Sequence, residues 1–247
     1  MVQTQIDGPV ARITLYRPDA RNAQTPQMWQ ELRDIGHDLP GDIRCVIVAG
    51  AGAAFSAGLD LAVISGSLPA ELAALPEADA DARLASFQEA FDWLRRPDLL
   101  SIAAVQGYAI GAGLQLALAC DLRVLATDAK LRVGEPGLGL VPDLGGTKRL
   151  VDLVGYSRAL EVCLTGRNIT AEEAVSLGLA TIAVSTEDLS DTVEDLALAM
   201  LSVPREAAVE TKALLRQAGG NDNAAQLAAE RAAQLRLLAA RAERVAE

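Results

Sequence analysis

The chain has 247 residues, 51% of them apolar, which is enough for one large domain, or a domain plus a small appendage, with a sizeable core. Its net charge of -11 makes the surface as a whole repel phosphate, which argues against nucleic acid as a partner. A polyanionic small molecule stays open, because a local basic patch or a helix N-terminus can still hold one.

In chain order, the first residues alternate, turn at Asp7-Gly8-Pro9 and continue as VARITLY, the signature of a β-hairpin. The N-terminus lacks the basic-then-apolar order of a signal peptide. Thr25 before Pro26 predicts a capped helix from about Pro26 to His37. Ile43 to Gly50 is a short apolar run suited to a buried strand, and a second helix is predicted to begin near Asp60. Residues 65–80 mix Ala, Pro and acidic residues and read as the least ordered stretch. Asp81 to Arg95 has helical spacing and stops at Pro97.

SIAAVQG reads as a buried strand, GAGLQLALAC as a short helix and DLRVLAT as a strand. The whole stretch from Ser101 to Ala119 is strongly apolar but is interrupted by Gln106, Gly107, Gly111, Gly113 and Gln115, so it is a poor membrane span. A cytoplasmic location is expected. LRVGEP predicts a strand and a loop, with a helix opening near Gly145 and mostly helix beyond, the acidic 186–195 stretch being a solvated helix start. A boundary near Pro204 divides a body of residues 1–203 from a helical segment of residues 204–247. Cys45, Cys120 and Cys163 sit in apolar surroundings without metal-type spacing and read as reduced thiols. No metal site is expected.

Two glycine-rich turns each follow a buried strand and open a helix: Phe55-Ser56-Ala57-Gly58-Leu59-Asp60-Leu61, and Gly107 to Gln115. Small residues allow a ligand close to the backbone, and a helix start leaves amide N-H groups unpaired. Two such turns meeting would form a main-chain pocket for a carbonyl oxygen that gains negative charge. Either turn alone is better read as a tight packing turn, since short glycine patterns are weak evidence. The third segment, Glu135-Pro136-Gly137 through Gly145-Gly146-Thr147, changes the balance.

F-S-A-G-x-D-L, then G-x-x-x-G-x-G-x-x-L-A-x-x-C-D, then E-x-x-x-G-x-x-P-x-x-G-G-T resembles the enoyl-CoA hydratase/isomerase (crotonase) family in order and spacing. Leu164 to Arg167 and Ala174 to Leu179 match its later helices. The resemblance implies an α/β fold with a crotonase-like ββα spiral core and a helical C-terminal trimerisation region. It also implies assembly as homotrimers or dimers of trimers, and an acyl-CoA or enoyl-CoA substrate of fatty acid metabolism. Coenzyme A would then be part of the substrate, with no separate cofactor. Carried over by position, the amides of Leu59 and Ala112 would hold the thioester oxygen. The rim for coenzyme A would comprise Arg21, Ala23, Ala57, Gly58, Leu59, Asp60, Leu61, Gly111 and Ala112. Arg17, Arg21 and Asn22 read equally well as a solvated loop.

Family hydratases carry two glutamates at the pocket. Here one position is Gln115 and the other is Glu135. Gln115 can orient a water by hydrogen bonds but cannot exchange protons, so hydration loses one of its two carboxylates whereas double-bond isomerisation needs only Glu135. A glutamate in a Gly/Val/Pro/Leu run has little structural reason to be there. Asp143, where some members place a second working carboxylate, is read either so or as the N-cap of the next helix, with the cap ahead. Lys212 or Arg236 could replace the basic tail that covers coenzyme A in many relatives. The alternative is a non-catalytic acyl-CoA carrier that keeps the pocket.

Overall fold

The computed structural model describes residues 1–246, and the side chains of residues 1–243. Its strands, in chain order, are β1 (Val2–Asp7), β2 (Val10–Leu15), β3 (Cys45–Gly50), β4 (Leu100–Val105), β5 (Tyr108–Ile110), β6 (Leu122–Ala126), β7 (Lys130–Arg132), β8 (Ile169–Thr170) and β9 (Ile182–Val184). The N-terminal hairpin forms as its alternation predicts, β1 antiparallel to β2 across a turn where Gly8 takes φ +52°. From β2 onward the main sheet is parallel, in the order β1-β2-β3-β4-β6-β9. Parallel strands are covered on both faces and so read as unbroken apolar runs. This explains why IRCVIVAG and SIAAV were legible: β3 and β4 are buried along nearly their whole length. A second, three-stranded sheet has the order β5-β7-β8.

The helices are α1 (Pro26–Asp38), α2 (Leu61–Ile64), α3 (Leu68–Ala74), α4 (Glu77–Asp92), α5 (Ala112–Ala119), α6 (Gly146–Val154), α7 (Tyr156–Thr165), α8 (Ala171–Ser176), α9 (Leu189–Leu201), α10 (Arg205–Ala218) and α11 (Asn223–Ala246). Thr25 caps α1 as predicted, its hydroxyl accepting from the Met28 amide at 3.2 Å. The buried face of α1 places Trp29 against Phe87 and Phe91 of α4, with ring centroids 4.9 and 6.2 Å apart. His37 is exposed near the end of α1, far from any nucleophile role.

Three readings need correction. Most of residues 65–80, read as the least ordered stretch, lies in helix: Leu68–Ala74 and the start of Glu77–Asp92. Their prolines, Pro69 and Pro76, stand at the openings of α3 and α4, where a missing N-H costs nothing, and the intervening Ala, Leu and Glu favour helix. β5, β8 and β9 occupy two- and three-residue stretches that read as turn or helix, because such short strands exist only through their partners. The acidic 186–195 stretch is not simply solvated: Glu194 receives Arg12 in a paired contact at 2.6 and 2.8 Å, across 182 residues of chain.

The C-terminal helices are tied to the body through Lys212 on α10. Its ammonium is buried and meets Asp121 at 2.6 Å, along with the Leu99 carbonyl. The same carboxylate oxygen accepts from the Ser101 amide and hydroxyl, so Asp121 has a structural role. Lys212 is therefore committed inside the fold, and Arg236 is paired with Glu210 at 2.7 Å. Among the described residues, no helix is long and apolar enough to cross a membrane.

Candidate active site

The first glycine-rich turn is sewn to the loop at residues 17–24. Arg21 and Asn22 both adopt left-handed conformations, φ 49° and 53°, which Asn tolerates through side-chain bonds to nearby backbone. Asn22 is fully buried. Its amide donates to the Ala51 and Ala54 carbonyls at 2.9 and 2.8 Å and its Oδ1 accepts from the Arg17 amide. Gln24, which the sequence reading passed over, brackets the turn from the other side. Its backbone donates to the Gly58 carbonyl and accepts from the Asp60 amide, and its side chain links Ser56 to Trp29. The polar run around it, Arg17 to Gln27, carried no signal that singled it out.

The result is a row of amides in which one stands apart. Ala57 N donates to Arg21, Gly58 N to the Ser56 hydroxyl and Asp60 N to Gln24, whereas Leu59 N has no acceptor among the described residues. The second turn is held against the first by Ser56 pairing with Ala109 in parallel. Gly111 N donates to the Arg132 carbonyl, and Ala112 then opens α5 with an amide that has no partner among the described residues. Ala112 keeps negative φ, as an alanine in that position requires.

The two turns approach closely at Gly58, which takes φ +88°. A Cβ there would collide with the Ile110 carbonyl and lie 3.5 Å from the Ala112 nitrogen. Leu59 N and Ala112 N are thereby brought to neighbouring peptides, one in each turn.

Glu135 follows β7 and begins a short 3-10 turn, Glu135–Leu138, partly buried. Its carboxylate accepts from Gln115 Nε2 at 2.7 Å on one oxygen and from the Gly134 amide at 3.0 Å on the other. Gly111 lies against it, so that a Cβ on Gly111 would stand 3.1 Å from Oε1. Burial pushes the Glu135 carboxyl above the usual glutamate range. The hydrogen bonds from its own backbone, Gln115 and Gly134 pull the other way, and the nearby Asp143 charge adds to the rise. The Glu135 carboxylate thus lies against Gly111, the residue before Ala112.

Gln115 is buried on α5. Its Oε1 accepts from the Leu144 and Gly146 amides at 2.9 and 3.1 Å. Its carbonyl is thus taken by two backbone donors and one amide hydrogen by Glu135, so a water could be oriented only by the remaining N-H. Asp143 is not a cap. The N-cap of α6 is Gly145, which takes φ +84°, and Asp143 instead has its carbonyl held by Gln88 Nε2 at 2.7 Å. The Asp143 side chain reaches the surface, yet local desolvation pushes its carboxyl upward as well.

Asp60 caps α2 through the Ala62 amide and pairs with Arg17 at 3.0 Å. Those contacts hold its carboxyl below the usual range. Arg17 is thereby tied into the fold. Arg21 is exposed and lies 5.8 Å over the Tyr108 ring, its carbonyl accepts from the Ala57 amide, and Leu61 is largely solvent-facing.

The enoyl-CoA hydratase/isomerase family model matches residues 5–244. YngF of Bacillus subtilis (strain 168) is 37% identical over 227 residues, covering 91% of this chain and 84% of that protein. A Thermobifida fusca YX protein crystallised in complex with acetoacetyl-CoA superimposes with TM-score 0.92 at 50% identity, over 96% of this chain and 94% of that one. A structure from the same source in complex with CoA gives TM-score 0.92 at 52% identity, over 98% and 94%. With the glycine turns, the lone glutamate and the parallel sheet all in agreement, the chain belongs to the enoyl-CoA hydratase/isomerase, or crotonase, family.

Proposed function

We propose that this chain is an acyl-CoA thioester enzyme that shifts double bonds, using Glu135 as its proton carrier and the Leu59 and Ala112 amides as donors to the thioester oxygen. The observation that carries this reading is the Glu135 carboxylate, desolvated and fixed against Gly111 beside the unpartnered Ala112 amide. With the carbonyl polarised, a C2 proton of a 3-enoyl thioester becomes acidic. Glu135 removes it, the negative charge spreads onto the thioester oxygen, and the two amides stabilise that oxygen. Return of the proton to C4 leaves the 2-enoyl product, with no net change in protons or electrons.

Hydration is disfavoured on the same ground. It needs one group to activate water and another to deliver a proton, and Gln115 exchanges none. Arg21, Ala23, Ala57, Gly58, Asp60 and Leu61 are the proposed rim for coenzyme A, with Arg21 the exposed cation. The acetoacetyl-CoA and CoA complexes of the Thermobifida fusca relative support a thioester ligand. Residues 1–203 form the catalytic body in this reading, and residues 204–247 a separate helical region.

A second reading adds Asp143 as a working acid/base on conjugated dienoyl thioesters. The charge of Asp143 raises the Glu135 carboxyl, which puts the two within electrostatic reach. The discriminating experiment incubates purified protein with a 2-enoyl-, a 3-enoyl- and a 3,5-dienoyl-CoA and follows thioester absorbance. Glu135→Gln abolishes turnover and keeps CoA binding. Equal activity of Glu135→Gln and wild type on every substrate would remove the assignment, and tight binding with no turnover by either would leave a carrier.

A further inference from the structure

We propose that Gln115 is a positioning residue, a neutral clamp that fixes the plane of the Glu135 carboxylate and lets that carboxylate ionise alone. The proposal rests on the reading of Glu135 as the proton carrier and assigns it a dedicated partner.

The orientation of the Gln115 amide is dictated by its surroundings. Two backbone N-H groups, from Leu144 and Gly146, point at one end, so that end is the carbonyl oxygen. The NH2 end therefore faces Glu135, and it does so at 2.7 Å. The fit is tight: a Cβ on Gly146 would come within 2.8 Å of Gln115 Cγ and Oε1, so the second glycine of the Gly145-Gly146 pair is what lets the backbone close on this amide. Leu144 N belongs to the same peptide unit as the Asp143 carbonyl, which Gln88 of α4 holds from the other side.

Gln115 also lies three residues after Ala112 on α5, one helical turn along the same face. One rigid helix thus carries both the proposed oxyanion donor and the group that grips the base. The gap between them is set by helix geometry, not by a loop. With the Gly134 amide on its second oxygen, the carboxylate is held at both ends.

A glutamate at position 115 could still accept from Leu144 and Gly146 with one oxygen. Its other oxygen would then face Glu135 at hydrogen-bond distance, and two carboxylates so placed share one proton instead of both ionising. The amide supplies a donor that never dissociates. The other titratable group acting on Glu135 is Asp143 on the following loop, while the Cys163 thiol of α7 is raised by burial and by the Glu135 charge. Neither replaces the Gln115 donor.

The test compares wild type, Gln115→Glu and Gln115→Leu by carboxyl-13C NMR titration of the ligand-free protein, and by pH–rate profiles with a 3-enoyl-CoA. Wild type shows a single Glu135 ionisation and one acid limb. Gln115→Glu shows two coupled ionisations split by more than about 1 unit, and its rate profile becomes a bell, active only while the pair holds one proton. Gln115→Leu moves the Glu135 ionisation upward and lowers kcat by about 10-fold or more, with KM little changed. A purely structural Gln115 predicts a lower Tm with the Glu135 titration unmoved in both variants, and that result overturns the proposal. Gln115→Glu keeps the two backbone bonds, so the comparison survives if Gln115→Leu fails to fold. Absence of wild-type turnover counts against the proposed reaction alone, because the NMR titration still decides the clamp.

Discussion

Gly111 and Glu135 are in contact across 24 residues of chain: a Cβ on Gly111 would stand 3.1 Å from Glu135 Oε1, and Gly111 itself takes φ +52° with ψ -120°. The backbone conformation demands glycine, and a Cβ would in addition press the carboxylate aside by a few tenths of an ångström. Gly111→Ala should destabilise the protein by about 1–3 kcal/mol through backbone strain. It should also lower kcat by about 100-fold, because it displaces the carboxylate from the neighbouring amide. Tm and initial rates measured together check this. A variant with wild-type kcat would mean that Glu135 does not act from this position.

The raised Glu135 carboxyl sets the sign of the pH dependence. Turnover requires the ionised form, so the rate should fall as pH drops through a value above the ordinary glutamate range near about 4.3. Stability runs the other way. A carboxyl whose folded value is raised stabilises the fold when protonated. That contribution is full below the unfolded value and lost as pH rises through the folded one. Glu135→Gln, which is always neutral, should therefore be at least as stable as wild type at neutral pH while losing turnover. Chemical denaturation at pH 4 and pH 7 makes the comparison; a marked loss of stability at pH 7 would show that the ionised carboxylate supports the fold.

Asp143→Asn separates the two proton-transfer readings. If Asp143 works on dienoyl thioesters, that activity should fall by about 10²–10⁴ while 3-enoyl isomerisation persists. Because the Asp143 charge raises the Glu135 carboxyl, the acid limb of the remaining activity should also move to lower pH. An unchanged dienoyl rate would leave Glu135 as the sole proton carrier.

Arg21→Ala should weaken CoA binding by about 1.5–3 kcal/mol, the range for a hydrogen bond to a charged group, and leave kcat near wild type. The effect should shrink at high salt because Arg21 is exposed. Isothermal titration with CoA at two ionic strengths measures it. Affinity that ignores both the substitution and the salt would take Arg21 off the rim.

Local chemistry settled much of this protein within the chain itself. Thr25-Pro26 announced α1 because a cap and a proline act on their immediate neighbours. β3 and β4 showed as apolar runs because both their faces are covered. Glu135 stood out as a charge with no local reason to be there. Contacts between distant segments decided the rest. The Gln115 clamp draws on Glu135, Leu144 and Gly146, Arg17 is taken by Asp60 43 residues away, and Lys212 is sealed onto Asp121. Asp143 had the composition of a cap, but the backbone placed Gly145 there. A side chain's type limits what it can bond to, and only the folded chain selects which of those bonds it makes.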